Sequence, residues 1–209
     1  MLKQLYIFFI FALVSSCAVI VEPSGGPEDK TSPKINYFEP SPGTLNFQDN
    51  SIIIEFDKYM DKNTVNNSVF LSPSKKFELD WTRKKLEIEF EEPLDSNTTY
   101  SFSLGTDFTD IYGNKPDESF FLVFSTGNFI DSGYIKGKLI GENTSGINIF
   151  AYSLNEVLKD TLNITQCKPN YRTQVGTNGN FLIPAMKDGL YRVVAVKDVY
   201  KDEIGRAHV

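Results

Sequence analysis

Few residues of this 209-residue chain have the type and position to support chemistry. The two thiols are Cys17 and Cys167, and the single histidine is His208, next to the last residue. Cys17 differs from the other two because a pair of serines precedes it, at the end of an apolar run over residues 5–14. Small residues leave the backbone before a cysteine open to a peptidase, and the thiol can carry a thioether. Cys17 is therefore the first candidate for covalent modification.

The apolar run before Cys17 is too short to cross a membrane, since ten residues rise about 15 Å as a helix against about 30 Å of bilayer core. With Lys3 before it and small residues after it, the run is typical of a signal peptide. The stretch Leu13-Val14-Ser15-Ser16-Cys17 resembles the bacterial lipobox. This resemblance implies a signal peptide at residues 1–16, lipidation of Cys17 and an anchor in the outer membrane, on its periplasmic or its surface face. The alternative is a secreted protein with an incidental cysteine near its cleavage site.

Composition argues against several kinds of site. The net charge of −6 and the pI of about 4.9 argue against a nucleic-acid partner, because proteins that bind nucleic acids present basic surfaces. Once residues 1–16 and the lipid on Cys17 are accounted for, Cys167 is a lone thiol, so neither an internal disulfide nor a cysteine-based zinc site can form. We expect Cys167 to act as a small hydrophobic packing residue, and we expect no cofactor and no metal.

The end of the chain breaks the preceding pattern. Back-translated, residues 203–209 resemble the read-through of a common sequencing adaptor. We therefore expect residues 204–209 to be a non-native tail that includes His208. Without that residue, the native part has no histidine for acid–base or metal chemistry.

The elements that must position any site are short strands. Residues 17–30 are rich in Pro, Gly and Ser, which predicts a flexible tether after the lipid. Beyond it, apolar and polar residues alternate with a period of two, which indicates strands covered on one face. Seven strands are predicted, at residues 34–38, 51–56, 69–71, 77–81, 86–90, 100–104 and 120–125. Residues 120–124 are all apolar, which predicts a strand covered on both faces, and the strand number and spacing favour an immunoglobulin-like sandwich.

Four ordered motifs in residues 31–127 resemble the bacterial Ig-like domain of S-layer and surface proteins: Phe56-Asp57-Lys58-Tyr59-Met60-Asp61, Pro93-Leu94-Asp95-Ser96-Asn97-Thr98-Thr99-Tyr100, Asp110-Ile111-Tyr112-Gly113-Asn114 and Phe124-Ser125-Thr126-Gly127. The resemblance implies a structural and binding module without catalytic activity. Asp61 is suited to cap a turn after a strand, and Gly113 to supply a backbone turn with φ > 0.

Oxygen-bearing residues on one predicted loop raise the question of a calcium site. Asp107, Asp110 and Asn114 lie at uneven spacing and lack the alternate acids and central glycine of an EF-hand loop. Structural turn chemistry is the favoured interpretation, and a weak calcium site in a calcium-stabilised adhesin is the alternative.

A second β-region spans residues 132–203. Strands are predicted at residues 133–140, 146–152, 171–175, 181–183 and 189–198, and Asn178-Gly179 predicts a hairpin between the third and the fourth. The order Gly-x-Ile-x-Gly-Lys, Gly-Asn-Phe-x-Ile and Asp-Gly-Leu-Tyr-Arg-Val-x-Ala resembles the carboxypeptidase regulatory-like, transthyretin-like domain. This resemblance implies a second non-catalytic sandwich, here expected to be truncated.

Together these features predict an all-β chain with two tandem β-sandwiches, and the chain as a whole resembles lipoproteins of the Bacteroidetes type. The expected function is non-catalytic: binding, spacing or display at the cell envelope, with an envelope protein or a glycan as partner. Paired carboxylates of a glycosidase need a cleft, and Asp57 and Asp61 lie beside a strand end without a sign of one. The alternative is an accessory N-terminal part of an anchored hydrolase whose catalytic domain lies beyond Glu203.

Overall fold

The computed structural model describes residues 25–154 and 167–197, which form twelve strands and one short helix. The bounds are β1 Ile35–Glu39, β2 Ser51–Phe56, α1 Lys62–Asn66, β3 Val69–Ser72, β4 Phe77–Thr82, β5 Lys85–Phe90, β6 Thr99–Leu104, β7 Phe120–Ser125, β8 Gly133–Lys138, β9 Asn148–Ser153, β10 Tyr171–Gln174, β11 Asn180–Met186 and β12 Tyr191–Val196. The prediction of an all-β chain is confirmed. None of the helical structure in this described part is long and apolar enough to cross a membrane.

Strands β1 to β7 form the first sandwich. One sheet has the order β1-β2-β5-β4 and the other the order β3-β6-β7, with all pairs antiparallel. All seven strands predicted for this region are present. The alternating apolar residues of β2 and β5 point into the core between the sheets, as the period of two requires: Ile52, Ile54, Phe56, Leu86, Ile88 and Phe90 are buried.

Strands β8 to β12 form a second β-unit with its own core. Its sheets have the orders β10-β9-β12 and β11-β8, and its core includes Ile149, Tyr171, Val175 and Ile183. The five strands predicted here are present.

The predicted hairpin at Asn178-Gly179 is wrong in one respect. The turn itself forms, with Gly179 at φ 82° and with Gly176 N–H donating to the Asn180 carbonyl at 2.9 Å. Beyond the turn, however, β10 pairs with β9 and β11 pairs with β8, so the flanking strands enter different sheets. Turn residues determine the local reversal of the chain, but not the partner that each strand then finds.

The sheet β3-β6-β7 lies between the first core and the second β-unit. β11 packs against β6 and β7, and β10 packs against β3. As a result β6 is buried along its whole length, including Ser101 at 6% and Ser103 at 3% exposed. For β7 the sequence predicts burial on both faces. In the structure, Phe121 and Val123 on that strand are only half-buried, because the second β-unit lies mainly over β3 and β6.

Several predictions concern residues outside the described part of the chain. The signal peptide, Cys17 and the first residues of the tether precede residue 25, and the tail at 204–209 with His208 follows residue 197.

Candidate functional site

The most elaborate polar arrangement in the described residues is the junction between the first sandwich and the second β-unit. Strand β10 builds it by alternation: Tyr171 and Val175 point into the second core, while Arg172 and Gln174 point towards the first sandwich. All four residues of this strand are buried. A strand that is covered on both faces has to find partners for its buried polar groups. Gln174 finds them across the junction, whereas the buried Thr173 hydroxyl has no hydrogen-bond partner among the described residues.

Gln174 forms the centre of the junction. Its side-chain oxygen accepts hydrogen bonds from the backbone N–H groups of Thr106, at 2.7 Å, and Asp107, at 3.3 Å. Its amide nitrogen donates to the Asp107 carboxylate at 3.3 Å. The fit is close, since a Cβ atom added to Gly105 would overlap the Gln174 side-chain oxygen.

Two further hydrogen bonds join the same segments. The Thr106 hydroxyl donates to the Val175 carbonyl at 3.2 Å, and the Ser119 hydroxyl donates to the Gln174 carbonyl at 3.2 Å. The turn after β10 continues the contact, because Thr177 N–H donates to the Asp117 carbonyl at 3.1 Å. The loop between β6 and β7 is therefore bonded to β10 and to the turn that follows it, which fixes their relative position.

Arg172 forms the other end of the junction. Its guanidinium carbon lies 3.8 Å from the ring centroid of Phe70 on β3 and 5.4 Å from that of Phe150 on β9. Its Nε donates to the side-chain oxygen of Asn148 at 3.1 Å. Cation–π contacts of this kind contribute about 2 kcal/mol when they are desolvated, and Arg172 is only 9% exposed.

A groove of about 700 Å³ opens beside the junction. Its walls come from both parts of the chain: Phe121 belongs to the first sandwich, and Gly137, Gln174 and Phe181 belong to the second β-unit. Its remaining lining is mostly polar: Glu118, Ser119, Lys136, Lys138, Gly176, Asn178, Asn180 and Leu182. Rings with polar groups around them can hold a partner that has both apolar and hydrogen-bonding surface.

The shape of the groove depends on one glycine. Gly137 on β8 lies opposite Phe181 on β11, and a Cβ atom at this position would lie 2.7 Å from the Phe181 ring. The absence of a side chain therefore lets the ring cover the neighbouring strand. Lys136 and Lys138 flank this position, are exposed, and form no ion pair within residues 25–154 and 167–197.

The acidic loop considered for calcium divides into two separate clusters. Asp107 belongs to the junction and lies 3.3 Å from the Lys115 ammonium. Asp110 is buried and accepts hydrogen bonds from the backbone N–H groups of Tyr112, at 2.8 Å, and Asn114, at 2.9 Å, and from the Asn114 side chain at 2.8 Å. Burial opposes ionisation, but these bonds and the Lys58 ammonium together lower the pKa of Asp110. The Asp110 carboxylate therefore stabilises a turn through these hydrogen bonds.

The end of the tether is fastened beside that turn. The Lys58 ammonium lies 2.8 Å from the Asp29 carboxylate, 2.8 Å from the Thr31 hydroxyl and 3.3 Å from the Asp110 carboxylate. The Asn114 side chain donates to the Asp29 carbonyl at 2.8 Å. The hydrogen bond from Lys58 and those from Thr31 hold the pKa of Asp29 well below its usual range, and the bond with Asp29 raises the pKa of Lys58. The predicted flexible tether at 17–30 is thus already attached to the sandwich at Asp29.

Asp61 and Gly113 adopt the predicted local roles. The Asp61 carboxylate caps α1 by accepting from Asn63 N–H at 3.0 Å and from Thr64 N–H at 3.4 Å. Gly113 has φ 87° in the turn that Asp110 organises.

Three aromatic residues of types that can stack on sugars, Trp81, Tyr112 and Tyr171, differ in their environment. Trp81 stacks on Phe56 with ring centroids 5.9 Å apart, and Tyr171 is buried in the second core, so both are packing residues. Tyr112 is 64% exposed. Cys167 is half-buried.

Sequence reasoning missed the residues of the junction. Alternate polar residues on β10 indicate a solvent-facing side, which is how Arg172 and Gln174 appear in the sequence.

In the described part of the chain, His, Cys, Asp and Glu side chains nowhere form a group of three or more that could hold a metal.

Two kinds of comparison with known proteins gave matches, one with a family profile and one with solved structures. The profile of the bacterial Ig-like domain family matches residues 29–126. Among solved structures, an L,D-transpeptidase from Mycobacterium smegmatis is similar over 86% of this chain and 87% of its own, at 13% identity and a TM-score of 0.35. The N-terminal part of the bacterial S-layer protein SbsC is similar over 80% of this chain and 45% of its own, at 13% identity and a TM-score of 0.34. No curated protein matches the chain. Over residues 29–126 the chain is thus similar to the bacterial Ig-like domain family.

Proposed function

We propose that this chain is a lipid-anchored protein of the cell envelope that binds or displays a partner through two β-units held as one rigid body, without catalysis. The observation that carries the proposal is the Gln174 junction. Contacts between domains of one chain are often small and allow relative motion. Here two backbone N–H groups of the first sandwich are bonded to one buried side chain of the second β-unit.

The match to a bacterial Ig-like domain supports a structural or binding role for residues 29–126. Modules of this type place other surfaces at a fixed distance and orientation, which a rigid junction favours. The groove beside the junction is the proposed contact surface, since it combines the Phe121 and Phe181 rings with amide and ammonium groups. Its partner in this proposal is a glycan or another envelope protein.

The anchor in this proposal is a lipid on Cys17. Its support is the sequence Leu13-Val14-Ser15-Ser16-Cys17 after a short apolar run. Acyl chains contribute about 0.8 kcal/mol per buried methylene, so several chains on one cysteine give stable attachment to a membrane.

The test is metabolic labelling of the full chain in a Gram-negative host with an alkyne fatty acid. We expect the wild-type protein to carry the label and to sediment with membranes. The variant Cys17→Ser should lose the label and appear in the soluble fraction, whereas the control Cys167→Ser, which removes the other thiol, should behave as wild type. An unlabelled wild-type protein, or a labelled Cys17→Ser variant, would refute the anchor.

A further inference from the structure

Three large apolar side chains lie exposed at one end of the first sandwich, which we call the tip. Tyr59 is 51%, Ile111 is 57% and Tyr112 is 64% exposed. The two segments that carry them are bonded to each other, because Ile111 N–H donates to the Tyr59 carbonyl at 3.1 Å and Met60 bridges to Asp110. The tip is therefore a continuous patch of two tyrosines and an isoleucine, not a set of scattered residues.

The tip is held outward by buried polar contacts beneath it. The Asp110 carboxylate accepts the backbone N–H of Tyr112, and Gly113 completes the turn with φ 87°. On the other segment, the Lys84 ammonium lies 5.3 Å from the ring centroid of Tyr59. The apolar side chains thus project from a fixed loop that has a cation at its margin, and their exposure does not come from an unfolded segment.

The tether leaves the sandwich beside this tip. Asp29 is bonded to Lys58, the residue before Tyr59, and to Asn114, two residues after Tyr112. From Asp29 the chain runs back twelve residues to Cys17. Twelve residues reach at most about 40 Å when fully extended and about 20 Å as a flexible coil. A lipid on Cys17 would therefore keep this end of the sandwich, more than any other part, close to the bilayer.

We propose that the tip contacts the membrane surface and orients the protein on it, with Tyr59, Ile111 and Tyr112 at the level of the lipid headgroups. This inference rests on the proposed lipidation of Cys17. Tyrosine suits this position because its ring is apolar while its hydroxyl remains hydrated, and aromatic residues concentrate at membrane interfaces for that reason. Three side chains alone bind a bilayer weakly, but the lipid makes their contact intramolecular, at a high effective concentration. With the tip on the membrane, the second β-unit and the groove are presented at a fixed angle to it.

The experiment uses the full-length lipidated protein, reconstituted into vesicles of phosphatidylethanolamine and phosphatidylglycerol. A Cys167→Ser background removes the other thiol, and a dye sensitive to polarity is attached at Tyr112→Cys. The matched control is Tyr134→Cys on β8, which replaces a tyrosine of similar exposure, 60%, in the second β-unit. Ile111→Cys is a second tip position, and thermal melts establish that each labelled variant is folded.

We expect the dye at positions 111 and 112 to shift to shorter wavelength on vesicles and to be quenched by nitroxide lipids, and the dye at 134 to do neither. Equal emission at the tip and at 134 in vesicles that float with the protein would overturn the docking proposal and leave the tether as a spacer. A shift at all three positions would also overturn it, because the contact would then not be specific to the tip. Flotation, measured on the same samples, reports the anchor separately: protein that does not float would refute lipidation, and the docking proposal with it.

Discussion

The junction is most directly tested by replacing its central residue. In the variant Gln174→Ala, the backbone N–H groups of Thr106 and Asp107 lose their acceptor while the surrounding apolar contacts remain. The Thr106 bond is the stronger of the two at 2.7 Å, and Thr106 is only 1% exposed, so water does not replace the lost acceptor without rearrangement.

The magnitude follows from that single buried donor. Leaving a buried donor without a partner costs about 1–3 kcal/mol, and the longer bond to Asp107 adds little, so we expect a loss of about 2 kcal/mol in the free energy of unfolding. With a urea dependence of about 2 kcal/mol per molar, this loss lowers the unfolding midpoint by about 1 M.

The assay exploits the fact that the chain has one tryptophan. Trp81 lies in the first sandwich, whereas Gln174 lies in the second β-unit. If the two parts unfold as one body, Trp81 fluorescence and far-ultraviolet circular dichroism give the same transition, and Gln174→Ala moves both. The control is Gln48→Ala, an exposed glutamine, which should change stability by no more than about 0.5 kcal/mol. A Trp81 transition that Gln174→Ala leaves in place would refute the rigid body.

Three further predictions concern other parts of the chain. The neighbouring Lys58 ammonium lowers the pKa of Asp29 below 3.8, so the ionised carboxylate stabilises the folded protein above pH 3.8, and this stabilisation is lost as the pH falls further. The difference in Tm between wild type and Asp29→Asn should therefore become smaller below pH 3.8. A difference in Tm that stays constant down to about pH 2 would contradict this prediction. Tyr100→Phe removes the acceptor of a backbone N–H at 2.9 Å and should cost about 1 kcal/mol at neutral pH. Since burial raises the pKa of Tyr100 to about 12, wild type should lose stability above pH 10 more steeply than this variant in alkaline urea titrations. Gly137→Ala places a methyl group 2.7 Å from the Phe181 ring and should cost about 1–3 kcal/mol in urea unfolding, whereas Gly25→Ala, in open space, should change nothing.

The strands of the chain could be predicted from the sequence because each carries its own evidence. In β5 the apolar residues alternate strictly, and in β2 every second residue from Ile52 to Phe56 is apolar; these residues fill the core between the sheets. The cap at Asp61 and the turn at Gly113 were also predictable, since local residue types determine both. These features depend on neighbours within a few positions along the chain.

The pairing of elements that are distant in the sequence could not be predicted in the same way. Gln174 and Thr106 are 68 residues apart, and nothing in either segment indicates the other. Ser101 and Ser103 have the pattern of a solvent-facing side, yet they are buried because the second β-unit covers them. A small hydroxyl lets two layers approach closely and finds hydrogen-bond partners there, so serine is compatible with both environments. The pattern of one strand therefore identifies the face of its own core and leaves the other face undetermined.

The groove and the junction are linked in this protein through one residue. Gln174 bonds to the first sandwich and also lines the groove, so a partner in the groove contacts a residue that sets the orientation of the two parts. The groove's walls belong to different β-units and keep their separation only while those bonds are made. Binding of a partner that fits this separation must then stabilise the junction, by the same free energy with which the intact junction favours binding. A surface formed in this way is specific because it requires both parts to be folded and joined, which neither β-unit provides alone.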